Sequence, residues 1–165
     1  MSQFLEDYRP GDEVALGQHT FTAENIKAFA RSYDPQPFHL DEAAAERSVY
    51  AGLCASGWHT AALWMKLMVA HEFAATKAMM ARGERVAKLG PSPGFRDMRF
   101  LKPVRPGDTL RYSFRVAGIE DWPSRPKWGL LVSHNEARNQ RGELVFAFLG
   151  RVLVERRLPS MPGAE

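Results

Sequence analysis

From Gly57 to Arg82 the chain reads GWHTAALWMKLMVAHEFAATKAMMAR, with no proline and many Ala, Leu and Met residues, and the run ends at Gly83. This specifies one long helix closed by a glycine. Ala61, Leu63, Trp64, Met65, Leu67, Met68, Val69, Phe73 and Ala74 nearly encircle it, which is more than the single stripe of a surface helix. Such a helix is expected to be buried on several sides, with its methionines acting as core filler rather than as a cofactor box. Whatever else the chain forms must supply those walls.

The walls are strands. Leu110, Tyr112, Phe114 and Val116 alternate with polar neighbours, Trp128 to Val132 is β-rich, and Leu144 to Val154 is a long β-favouring run. Asn139 to Gly142, "NQRG", fits a hairpin turn, while "GIEDWPSRPK" is long for one and is expected to pack over a neighbour or a ligand. Before the long helix, Glu13 to Thr20 reads as a strand and Thr22 as a helix N-cap. Ile26, Phe29, Ala30 and Tyr33 then mark one helical face. Pro35 closes that helix and pushes Asp34 onto the turn past its end, and Asp41 can cap the short helix "EAAAERS". The order predicts an α+β fold with an antiparallel curved sheet wrapped around the long helix.

The 165 residues suit one domain, read as residues 1–157, followed by a flexible tail, Leu158 to Glu165. A single cysteine, Cys54, rules out an internal disulfide and reads as a small buried hydrophobe. The start, "MSQFLEDYRPGDE", lacks the basic-then-apolar order of a secretory signal. The most apolar segment, Ala61 to Ala70, is interrupted by Lys66 and is about half the ~20 residues a membrane span needs. A cytoplasmic location and no membrane partner are expected. The net charge of +3 comes from Lys and Arg scattered along the chain rather than gathered in a stripe, which argues against nucleic acid.

Several chemistries fail on spacing. His71-Glu72 starts like a zinc-protease helix, but Ala75 stands where the second His must fall, so no metal is expected. Ser56 in "GLCASG" lacks the nucleophile-elbow glycines, and "GPSPG" at Gly90 to Gly94 lacks the Lys-Ser/Thr of a phosphate loop. "YDPQPFHLD", Tyr33 to Asp41, is different. Pro35 and Pro37 stiffen a turn that can aim Asp34 and His39 at one water, one group taking a proton and the other supplying one. The plainer reading is that Asp34 caps the turn and His39 bonds to backbone. "YAGLCASGWHT", Tyr50 to Thr60, then puts small residues before the long helix, where outward N–H groups suit an oxyanion. Gly52, Ala55 and Gly57 serve equally well for close backbone packing.

Three pieces in order, "AxxYDPQPFHLDEAAA" from Ala30, "GLCASGWHTAAL" from Gly52 and "RFLKPVRPGDTL" from Arg99, resemble the MaoC-like dehydratase family of hotdog-fold proteins, and the match covers nearly the whole chain. The resemblance implies an R-specific enoyl-CoA hydratase or dehydratase acting on a CoA or acyl-carrier-protein thioester, with no separate cofactor. Asp34 and His39 would be catalytic. Gly52 would present its N–H to the thioester carbonyl, with Thr60 as a supporting hydroxyl and Ser56 and Gly57 lining the site. Two departures stand out: Gln36 where hydratases usually have Asn, and Ala51 where they often have His. The resemblance also implies a homodimer, and it makes Arg99, Lys102 and Arg105 conceivable CoA-phosphate contacts, with solvated surface the alternative. A hotdog thioesterase and a non-catalytic acyl-thioester binder remain as competing functions.

Overall fold

A computed structural model describes residues 3–157; the expected tail, Leu158 to Glu165, lies outside the described residues. After a short 3-10 turn the chain forms β1 (Glu13–Thr20), α1 (Ala23–Tyr33), α2 (Pro37–Leu40), α3 (Glu42–Glu46) and α4 (Gly57–Ala81). Four strands follow: β2 (Gly94–Phe100), β3 (Thr109–Asp121), β4 (Trp128–Arg138) and β5 (Leu144–Glu155). With β1 they make one five-stranded antiparallel sheet in the order β1-β3-β4-β5-β2, the four helices falling between β1 and β2 in the chain, the curved-sheet-and-long-helix arrangement of the hotdog fold.

Local chemistry sets the boundaries. The Thr22 hydroxyl accepts from Asn25 N–H at 3.1 Å and the Asn25 side chain accepts from Thr22 N–H at 3.0 Å, so two otherwise orphaned donors are satisfied where α1 begins. Asp41 caps α3 through Ala44 N–H at 2.7 Å. The alternating residues of β3, Leu110, Tyr112, Phe114 and Val116, all point into the core and are at most 1% exposed. Together with Phe146, Leu131 and Val154 they pack beneath Ile26 of α1, which is wholly buried. The turn at Asn139–Gly142 forms as expected. The β3–β4 connection is shorter than the sequence suggested, because the strand continues to Asp121. Trp122 and Arg125 then face Pro91 and Pro93.

The helix α4 departs from expectation. It packs over β1 at Gly17, whose missing side chain admits Leu67, and Trp64 meets Phe148 edge-on at 4.7 Å. Yet only His59, Thr60, Leu63 and Met68 are buried in it. Met65, Val69 and Phe73, spaced one turn apart, form an exposed apolar stripe, with Phe73 73% exposed. That stripe faces β2 and β5 across an apolar groove of about 560 Å³. A single chain therefore leaves one wall of the helix open. No helix among the described residues is long and apolar enough to cross a membrane.

Candidate active site

Asp34 is the C-cap of α1. Its N–H still donates to Ala30 O at 3.0 Å, but its backbone has left the helical region (φ −152°, ψ 70°). Pro37 then opens α2 at its first position, where a missing N–H costs nothing, and His39 follows within that single turn. The outcome is an imidazole Nε2 3.5 Å from Asp34 Oδ2. His39 is buried, and its Nδ1 lies 2.7 Å from Cys54 O. A carbonyl can only accept, so Nδ1 carries the proton and the Nε2 edge of His39 is turned toward the carboxylate. Nε2 and the carboxylate oxygen, 3.5 Å apart, are spaced so that one small polar molecule can meet both. A water at the apex can hydrogen-bond to both groups at once.

The Asp34 carboxyl is tuned by its surroundings. Burial pushes its pKa up, but hydrogen bonds from Ser56 and Gln36 and the nearness of His39 outweigh this and hold it below the ordinary aspartate value. Gln36 Nε2 donates to Oδ1 at 2.8 Å, so Gln36 still supplies an amide donor to the acid where hydratases usually have Asn. Asp34 is therefore a stable carboxylate at neutral pH.

Both groups open into a cavity of about 480 Å³, whose wall includes Ser56, Gly57 and Thr60 of the α4 N-terminus and Phe100 of β2. Ser56 is the N-cap. Its hydroxyl accepts from Trp58 N–H at 3.2 Å, and its carbonyl accepts from His59 and Thr60 N–H at 3.0 and 3.3 Å. Gly57 at the first helical position lines the cavity, and its N–H has no acceptor within the helix, so the positive end of the helix dipole lies at the cavity. Thr60 follows one turn on, buried, with its own carbonyl taking the Tyr112 hydroxyl at 3.3 Å.

Gly52 does not behave as the resemblance implied. Its N–H donates to Ala45 O at 3.0 Å, satisfying a C-terminal carbonyl of α3, and it is absent from the cavity wall. The chain doubles back over α3 at this point. Ala51 (φ 49°) and Gly52 (φ 139°) both take positive φ, so Gly52 is needed for its backbone conformation. The glycine that lines the cavity is Gly57. Of the basic residues, Lys102 reaches the cavity and pairs with Glu143 at 2.7 Å, while Arg105 turns inward to main-chain carbonyls. The Cys54 carbonyl and the Phe100 ring were missed by sequence reasoning. The former leaves no side-chain signal, although Phe100 lies inside the motif "RFLKPV".

Next to this site His59 is buried with Nδ1 unpartnered, stacked on Phe29 of α1 at 4.5 Å and edge-on to Phe21 at 5.0 Å. Burial, and secondarily His19, pushes its pKa down to about 4. It joins α1, which carries Asp34, to the first turn of α4.

Comparison with known proteins identifies the family. The family model described as "MaoC like domain" matches residues 7–136. The crystal structure of a MaoC-like dehydratase from Rhodospirillum rubrum is 37% identical, covers 94% of this chain and 99% of its own, and superposes with a TM-score of 0.76. The Bacillus subtilis protein YdeM is 31% identical over 153 residues, 88% of this chain and 98% of its own length. The mesaconyl-CoA hydratase of Cereibacter sphaeroides is 29% identical over 97% of this chain, which spans only 43% of that longer protein. With a family model matched over most of its length, the chain belongs to the MaoC-like dehydratase family.

Proposed function

We propose that the protein is an enoyl-thioester hydratase, adding water across the double bond of a trans-2-enoyl-CoA or enoyl-acyl-carrier-protein to give the R-3-hydroxyacyl thioester, and running the reverse dehydration. The observation that carries this is the Asp34–His39 pair at 3.5 Å with His39 Nδ1 committed to Cys54 O. The bridging water gives up one proton to the pair while its oxygen bonds to Cβ, and the alkene electron pair moves onto the thioester oxygen. Gly57 N–H meets that oxygen, where negative charge exists only once attack is under way. A proton then passes from the pair to Cα, so the atoms of one water are added. The kinship with a mesaconyl-CoA hydratase supports a CoA thioester as substrate.

The exposed Met65–Val69–Phe73 stripe and the edge strand β2 support a second copy as the missing wall, making a homodimer the working unit. The test of the function is a panel of enoyl-CoA esters varied in chain length and branching, followed by loss of enoyl absorbance beside a thiol-reactive dye. Hydration consumes the absorbance without releasing thiol. Asp34→Asn and His39→Ala should each lower kcat by about 10² to 10⁴. Thiol release in step with substrate loss would make the protein a thioesterase instead, and wild-type rates in both variants would put the chemistry elsewhere.

A further inference from the structure

Arg105 lies in the turn before β3, a position that reads from sequence as a conceivable CoA-phosphate contact or a solvated cation. Its guanidinium points inward instead. Nη1 donates to Gly52 O at 2.5 Å and to Leu53 O at 3.3 Å, and Nη2 donates to Tyr50 O. Beside it, Ala55 N–H donates to Val104 O at 2.8 Å, so two consecutive residues hold the 50–55 loop at four points. Arg105 is itself fixed from behind. Its N–H donates to Asp108 Oδ2 at 2.8 Å, Asp108 N–H returns to Arg105 O at 3.0 Å, and Gln140 of the β4–β5 hairpin donates to Asp108 Oδ1 at 2.8 Å.

The next carbonyl along that loop belongs to Cys54, the acceptor of His39 Nδ1–H. We infer that Arg105 is a positioning residue: by gripping the carbonyls of Tyr50, Gly52 and Leu53 it fixes the Cys54 carbonyl, and through it the tautomer and aim of His39. For its activity readout this rests on the hydratase reading above; the geometry stands apart from it. A planar fork with five donors can hold three carbonyls at once, which a single ammonium cannot do with the same rigidity. With the Cys54 carbonyl loosened, the ring is free to take the other tautomer, present Nε2–H to Asp34 and close the gap with a direct hydrogen bond. The water would then have no place. Arg105 does not line the cavity, so the effect falls on turnover rather than on substrate affinity.

The experiment compares wild type, Arg105→Met and Arg105→Lys in the full chain, with three readouts: thermal midpoint, kcat and KM on crotonyl-CoA, and side-chain ¹⁵N–¹H spectra of histidine-labelled protein. The His39 signals are assigned by their loss in His39→Ala. In wild type His39 should show a single Nδ1–H tautomer. Arg105→Met should convert it to a mixture and lower kcat by about 10- to 100-fold with KM within about threefold, as for a reacting group misplaced by roughly an ångström. Arg105→Lys should fall between. If Arg105→Met does not fold, Arg105→Lys carries the same comparison. An unchanged His39 tautomer with unchanged kcat per folded molecule, whatever happens to the midpoint, would reduce Arg105 to a structural cap and overturn the inference. Absence of turnover in the wild type on every enoyl thioester would count against the hydratase reading alone, because the tautomer spectra still decide the role of Arg105.

Discussion

Gly57→Ala separates the two glycines that the sequence offered for the oxyanion. A Cβ built at Gly57 lies 2.9 Å from Cγ, Cδ1 and Cδ2 of Phe100, on the ring rather than at the end of a flexible chain. Carbon pairs settle near 3.5 to 4.0 Å, so the ring must retreat by roughly 0.6 to 1 Å. It is stacked on Phe146 at 5.4 Å and set edge-on to Trp58 at 6.2 Å, which leaves outward movement as its relief. Overpacking of this kind costs about 1 to 3 kcal/mol, against a helix-propensity gain of at most about 1 kcal/mol. The clash wins, and a net loss of about 1 to 2 kcal/mol should lower the midpoint by several degrees, taking about 2 to 4 °C per kcal/mol for a chain of this size.

The activity change should be larger. The N–H itself is kept, but the new methyl stands beside it and displaces the aromatic wall of the cavity, so a thioester oxygen held off that N–H should lose part of a contact whose full removal costs about 10² to 10³ in kcat. Scanning fluorimetry and steady-state kinetics on crotonyl-CoA measure the two effects separately. In Gly57→Ala/Phe100→Ala the clash is gone, so its midpoint should equal or slightly exceed that of Phe100→Ala alone, while kcat stays low. Wild-type kcat in Gly57→Ala would show that the thioester oxygen does not sit against this position, where a Cβ and a displaced ring must disturb it.

Two further outcomes test other parts of the molecule. Folded His59 titrates at about 4 against 6.5 in the unfolded chain, so the unfolded state takes up the proton first as pH falls. Stability held above pH 6.5 should drain away down to about pH 4, by about 3 kcal/mol, and His59→Phe should flatten that limb when urea midpoints at pH 7 and pH 4.5 are compared. Phe73→Glu puts a charge on the most exposed residue of the α4 stripe, so a wild type that sediments as a dimer should shift toward monomer; a wild type already monomeric at micromolar concentration would remove the dimer from the proposal.

What could be read in advance was what short-range chemistry decides. Thr22, Asp34 and Asp41 act within four residues of their own positions, and the alternation in β3 records burial on one face, so caps, turn and strand were all visible in order. β2 was not, because an edge strand with a bulge at Asp97 (φ 54°) buries neither face and shows no alternation. The long helix announced that it was apolar without saying which neighbour covers each side, and part of its surface is left open by its own chain. The same limit explains Gly52. Two glycines preceded one helix, and composition made them equivalent until the path of the loop spent one N–H on Ala45 and left the other at the first position of α4. Asp34 and His39 could be picked out because a five-residue spacing across two prolines is a local constraint. The state of the imidazole was not legible, because it is set by a carbonyl 15 residues further on and, if Arg105 acts as inferred, by a guanidinium 51 residues beyond that. A motif can name the groups that meet the water, but the proton on His39 is assigned by contacts that only the folded chain brings together.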